Sequence, residues 1–129
     1  DAAHALRVRM AGLRDQAERV LRMAQVLAAG GFSEEARPLL AKAIGHGAAV
    51  KLAVLGELPA DVTSATPTHI RDLVDRKALP LQTTATLDEL AAASGTPSGT
   101  EIERLLKATA EILLACIEGA EVMDARDRV

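Results

Sequence analysis

The sequence predicts an all-α fold, an up-and-down bundle of about five helices forming a single domain over residues 1–129. Three observations lead there. Ala supplies 26 residues and Leu 18, and these are strong helix formers. Strands favour β-branched and aromatic side chains, yet Phe32 is the sole aromatic residue. Apolar residues also recur at alternating spacings of three and four along both ends of the chain, the period of a helix that buries one face.

The first helix is expected over residues 2–29. Leu6, Met10, Leu13, Ala17, Val20, Ala24 and Leu27 form its seam, and Gly30-Gly31 ends it. Ser33, followed by Glu34 and Glu35, reads as the N-cap of a second helix. Pro38 removes one backbone bond there and should bend the helix. From Ala36 to Leu55 apolar residues occupy more than one face, so this helix should be central and buried. Gly45 and Gly47 each weaken it by about 1 kcal/mol relative to Ala, and close approach of a neighbouring helix is the expected reason.

Thr66-Pro67 opens a third helix with Ile70, Leu73 and Val74 inward, ended by Arg76, Lys77 and Pro80. Thr86-Leu87-Asp88-Glu89 reads as a capping box for a short fourth helix that stops at Ser94-Gly95. A second box, Thr100 to Glu103, opens the fifth. Its stripe runs through Ile102, Leu106, Thr109, Leu113, Cys116, Ala120 and Met123 and is the expected partner of the first helix's seam. Small residues at Ala17, Ala24, Ala43, Ala110 and Ala120 mark places where helices can approach closely.

Composition excludes several functions. Without an aromatic platform, single-stranded nucleic acid cannot be bound by base stacking. A net charge of −3 argues against broad binding to nucleic-acid phosphates or an anionic membrane. Charge is nonetheless uneven, with a basic first helix and an acidic last one. Either those two elements pack with complementary faces, or the first carries an Arg-lined binding surface. One cysteine forms no internal disulfide and the chain lacks Asn for glycosylation, so a cytoplasmic location is expected. No apolar run reaches the roughly 20 residues of a membrane span, and no membrane partner is expected. The chain opens on Asp1 without Met, which reads as a fragment of a longer protein.

Few side chains suggest chemistry. His46 lies between two glycines in the buried helix, where it is a base, a ligand or a structural contact. His69, in the first turn of the third helix, can reach back to cap Thr66 or meet Asp72. Cys116 falls on the apolar stripe and reads as a core thiol. Neither a zinc pattern nor a phosphate loop nor a nucleophile elbow is present, so no metal, cofactor or catalytic residue is expected. Ala3-His4-Ala5-Leu6-Arg7 resembles the phosphorylated helix of histidine phosphotransfer domains but departs from it at Val8 and Arg9.

Gly31-Phe32-Ser33-Glu34-Glu35-Ala36 running into Leu39-Leu40, Ala43 and Ile44, then Gly56-Glu57-Leu58-Pro59 and Thr68-His69 with Leu73, resembles the HEPN superfamily (higher eukaryotes and prokaryotes nucleotide-binding). The chain also resembles the C-terminal helical ends of bacterial Swi/Snf-type, RapA-like helicases. Catalytic HEPN proteins are ribonucleases with Arg, four to six residues, then His. No Arg stands at that spacing before His4, His46 or His69 here. The resemblance therefore implies a non-catalytic accessory or dimerisation domain of a larger protein, such as an ATP-dependent DNA helicase. Leu13, Val20, Leu106 and Leu113 would be packing or interface positions, and the partner a second copy or a neighbouring domain. Nucleic acid would be met only through the parent protein. The alternative is a nucleotide- or RNA-binding domain using Arg7, Arg14 and Arg22, which recur at seven and eight residues, with His46 or His69.

Overall fold

A computed structural model describes residues 1–92 and 95–127, the last seven of these by their backbone alone. Ser94, assigned to the stop of the fourth helix, and the side chain of Met123 lie outside the described residues. The chain forms five helices: α1 (Ala2–Ala29), α2 (Ser33–Val54), α3 (Pro67–Asp75), α4 (Gln82–Ala91) and α5 (Gly99–Asp127). No strand occurs among the described residues.

α1 begins where the Asp1 carboxylate accepts the His4 N–H at 2.7 Å. Its seam buries Met10, Leu13, Ala17, Val20 and Ala24, as the spacing predicts. Gly31, at φ 89°, turns the chain in the left-handed region. The Phe32 N–H then reaches the Leu27 carbonyl and the Gly31 N–H that of Ala28, which satisfies two orphan acceptors at the helix end. This turn runs directly into α2, so the cap position falls on Phe32 rather than Ser33. Ser33 is instead the first helical residue and is buried. α2 continues as one helix through Pro38.

Every residue from Ala43 to Val50 is buried, so α2 is wrapped on all sides. A helix can be enclosed this way only when its residues are apolar or small. Gly47 is where α5 comes closest: a Cβ there would lie 2.4 Å from Leu113 Cδ2 and 3.3 Å from Cys116 Sγ. Gly119 of α5 similarly faces Val54. Contacts at 47 with 113 and 116 and at 54 with 119 advance together, so α5 runs parallel to α2. The seam of α1 packs chiefly on α2, with Ala17 and Val20 against Ala43 of α2 and also Leu113 of α5. The expectation that α1 and α5 are each other's main partner is thus corrected: α2 lies between them and takes most of both stripes, because it alone is apolar all round.

Gly45 serves a different purpose from the one expected. Its missing side chain admits a loop rather than a helix, since a Cβ would lie 2.4 Å from Ser64 Oγ. The Ala65 N–H donates to the Gly45 carbonyl at 3.0 Å.

α3 is capped by Thr66 and buries Ile70, Leu73 and Val74 as expected. It ends at Asp75, and Lys77 takes the left-handed turn at φ 62°. The capping box at Thr86 is not used. α4 starts at Gln82, behind Leu81, which makes no side-chain cap. Thr83, Thr86 and Leu90, one turn apart, are its buried face, and burial of Thr86 inside the helix outweighs its use as a cap. At α5 the cap is Ser98, whose Oγ accepts the Glu101 N–H at 3.2 Å, rather than Thr100. Ile102, Leu105, Thr109, Ile112, Leu113, Cys116, Ile117 and Ala120 are buried along it. The Thr109 hydroxyl donates to the Leu105 carbonyl at 2.8 Å, so its burial leaves no unmet donor.

Candidate functional site

The chemistry-bearing side chains sit mainly around the connection between α2 and α3, residues 55–66. This strap crosses α2 beside α1 and is held at three points. The Arg9 guanidinium donates to the Pro59 carbonyl at 2.5 Å and the Val62 carbonyl at 2.8 Å. His46 Nδ1 lies 2.7 Å from the Thr63 carbonyl. Ala65 bonds to Gly45 as described.

A carbonyl only accepts, so His46 carries its proton on Nδ1 and donates it to Thr63. Its Nε2 is buried and has no hydrogen-bond partner among the described residues. With 4% of its surface exposed, His46 is a strut between helix and strap. The structure thus favours the structural contact among the three roles open from sequence.

His69 reaches back to Thr66, as one of its two expected roles required. Its Nδ1 accepts the Thr66 N–H at 3.3 Å, while the Thr66 hydroxyl accepts the His69 N–H at 3.1 Å. This reciprocal pair is a capping box with histidine in the usual place of Glu. Asp72, the other expected partner, instead bonds Arg76 at 3.0 Å.

Arg14 is tied to Glu18 at 3.1 Å along the same helix. Arg7 and Arg22 are 15 positions apart, which a rise of 1.5 Å per residue makes about 22 Å. Arg7, Arg14 and Arg22 therefore do not converge on one small ligand. Leu13, Val20 and Leu113 are buried within the bundle, and Leu106 is half-buried against the main core. All four are packing positions inside this chain.

Cys116 is fully buried. Loss of hydration pushes its thiol up to about 12, only slightly offset by Lys51, so it is neither a nucleophile nor a metal ligand at neutral pH. Among the described residues no three His, Cys, Asp or Glu side chains are grouped to hold a metal ion. No helix among them is long and apolar enough to cross a membrane.

Two features escaped the sequence reading. Arg9 resembles its neighbours in sequence, and only the path of the strap reveals its role. The outer face near the end of α1 is the second. Met23 is 49% and Val26 72% exposed, and with Arg19, Arg22 and Leu27 they line an open cleft of about 580 Å³. Neither arginine has an ion-pair or hydrogen-bond partner among the described residues. A deeper apolar cleft of about 440 Å³ lies between α2, α3 and α4, walled by Pro38, Ile70, Leu87 and Leu90, with Ser64 and Asp88 as its polar atoms.

No known protein family, curated protein or solved structure matches this chain.

Proposed function

We propose that this chain is a non-catalytic helical interaction domain, HEPN-like in layout, that acts within a larger protein such as an ATP-dependent helicase by docking onto a second copy or a neighbouring domain. The carrying observation is a division of labour between side chains. His46, His69 and Arg9 are engaged in holding the strap and the start of α3. The outer face of α1, by contrast, presents Met23 and Val26 to solvent beside Arg19 and Arg22, which have no ion-pair partner among the described residues. Surface of that kind is characteristic of protein contacts.

Sedimentation of the chain from low micromolar to several hundred micromolar tests the reading. Reversible self-association supports it, and a strict monomer throughout removes the dimer. The exposed Arg22 is also what the nucleotide- or RNA-binding alternative would use. Titration with ATP and with a short RNA separates the two, since phosphate binding must weaken steeply with salt.

A further inference from the structure

The outer face of α1 is organised along its length in a way that burial within this chain does not explain. At 3.6 residues per turn, Val8, Asp15, Arg19 and Val26 fall within about 20° of a single line, on the side opposite the buried seam. Gly12 and Met23 flank that line on one side, Ala11 and Arg22 on the other. All eight are exposed. Asp15, Arg19 and Arg22 have no ion-pair partner among the described residues.

Gly12 is the second observation. Nothing lies within 4 Å of where its Cβ would be, unlike Gly45, Gly47 and Gly119, each of which admits a neighbour. A glycine in mid-helix weakens the helix, and no contact among the described residues accounts for this one.

The order of residues along the line is self-complementary. Val8 and Val26 lie nine positions on either side of Ala17, and Asp15 and Arg19 two positions on either side. We propose, building on the interaction-domain reading, that two copies of this chain pair through α1, antiparallel about the level of Ala17. Val8 of each copy then meets Val26 of the other, and Asp15 of each meets Arg19 of the other. Met23 of each copy lies over Gly12 of the other, which gives the bare glycine its purpose, and Arg22 flanks the opposite Asp15. Charge complementarity is what selects a second copy over an unrelated partner. The acid and the base are placed symmetrically, so one face satisfies itself twice. A contact of one helix pair over about 27 Å is at the small end of specific interfaces, so the dimer should be of micromolar strength.

Charge swaps test this, read by sedimentation at neutral pH with circular dichroism as the control on folding. Asp15→Arg alone and Arg19→Asp alone should each weaken the dimer at least about tenfold. Mixed one to one, they should form a heterodimer, because Arg at 15 then meets Asp at 19 in one half and the native Arg19 meets the native Asp15 in the other. Gly12→Gln, at an exposed site that fills no core, should weaken association without unfolding the chain.

A cross-link fixes the register. A mixture of Val8→Cys and Val26→Cys copies should form an intermolecular disulfide on mild oxidation. Val8→Cys alone should not, since its own symmetry mate lies about 27 Å away. A dimer that ignores the charge swaps and does not cross-link would overturn this inference and leave the interaction-domain reading standing. A strict monomer at every concentration would overturn this inference and remove the second copy as the partner, leaving a neighbouring domain as the one occupant of the interaction-domain reading.

Discussion

Gly47→Ala and Gly12→Ala are the same chemical change in two helix interiors, and the packing gives them opposite signs. In either helix the added methyl improves the intrinsic preference by about 1 kcal/mol. At Gly12 the Cβ meets nothing within 4 Å, so that gain should appear in full. At Gly47 the Cβ would fall 2.4 Å from Leu113 Cδ2 and 3.3 Å from Cys116 Sγ. Leu113 is only 4% exposed, so its methyl has no free space to enter. Overpacking of this kind costs about 1–3 kcal/mol, which leaves a net loss of up to about 2 kcal/mol at Gly47 and a separation of about 1–3 kcal/mol between the variants. For a domain of this size that is roughly 4–12 °C in Tm, read by thermal and urea unfolding in dilute solution.

Leu113→Ala supplies the internal control. It should cost about 2–5 kcal/mol alone, but adding Gly47→Ala to it should then be neutral or favourable, a coupling of about 1–2 kcal/mol. If Gly47→Ala stabilises as much as Gly12→Ala does, the close approach of α5 to α2 is wrong.

Other outcomes follow from single contacts. Lys77→Gly should stabilise by about 0.5–1 kcal/mol, because Lys77 holds the left-handed turn at φ 62° that glycine takes in the equivalent turns after α1 and α2; chemical denaturation measures it. His46→Leu should cost about 1–3 kcal/mol and leave the strap open to limited proteolysis. His46→Asn, whose amide N–H can replace Nδ1–H toward Thr63, should lose less. Cys116 should resist thiol reagents in the native protein and react on unfolding. Its folded value of about 12 lies above the ordinary 9.0. Between them only the unfolded chain loses this proton, so the thiol's contribution to stability is complete below about pH 9 and declines as pH rises, by up to about 1.4 kcal/mol per unit. Cys116→Ala should remove that part of the alkaline slope.

The long elements were legible because their signal is periodic. The seam from Met10 to Ala24 and the all-round apolar run of α2 each repeat a pattern over several turns, and burial follows it. Caps were less legible, since Ser, Thr and acidic residues near a helix start offer several equivalent readings. Ser33, Thr86 and Thr100 all had the right chemistry. What decided between them was tertiary: the tight turn after Gly31 sets the start of α2, and the burial of Thr83 and Thr86 draws α4 back to Gln82.

The close-approach glycines were visible in α2, but what approaches them was not. Gly45 admits Ser64 and Gly47 admits Leu113, and residues 19 and 66 positions away in sequence leave no local trace. The same limit hid the candidate site. His69 could be linked to Thr66 because they are three residues apart, whereas the grip of Arg9 on Pro59 and Val62 depends on how a loop folds back. The outer line of α1 leaves only a weak sequence signal, because its apolar residues Val8 and Val26 are 18 positions apart.

α2 is enclosed by α1, α5 and the strap, so that its histidine and glycines serve the fold and the outer face of α1 is left for contact. Residue-resolved amide hydrogen exchange tests that most directly. The amides from Ala43 to Ala53 should be the last to exchange, at the rate of global unfolding. Exchange of this stretch well before the middle of α1 or α5 would contradict the enclosure and the functional reading built upon it.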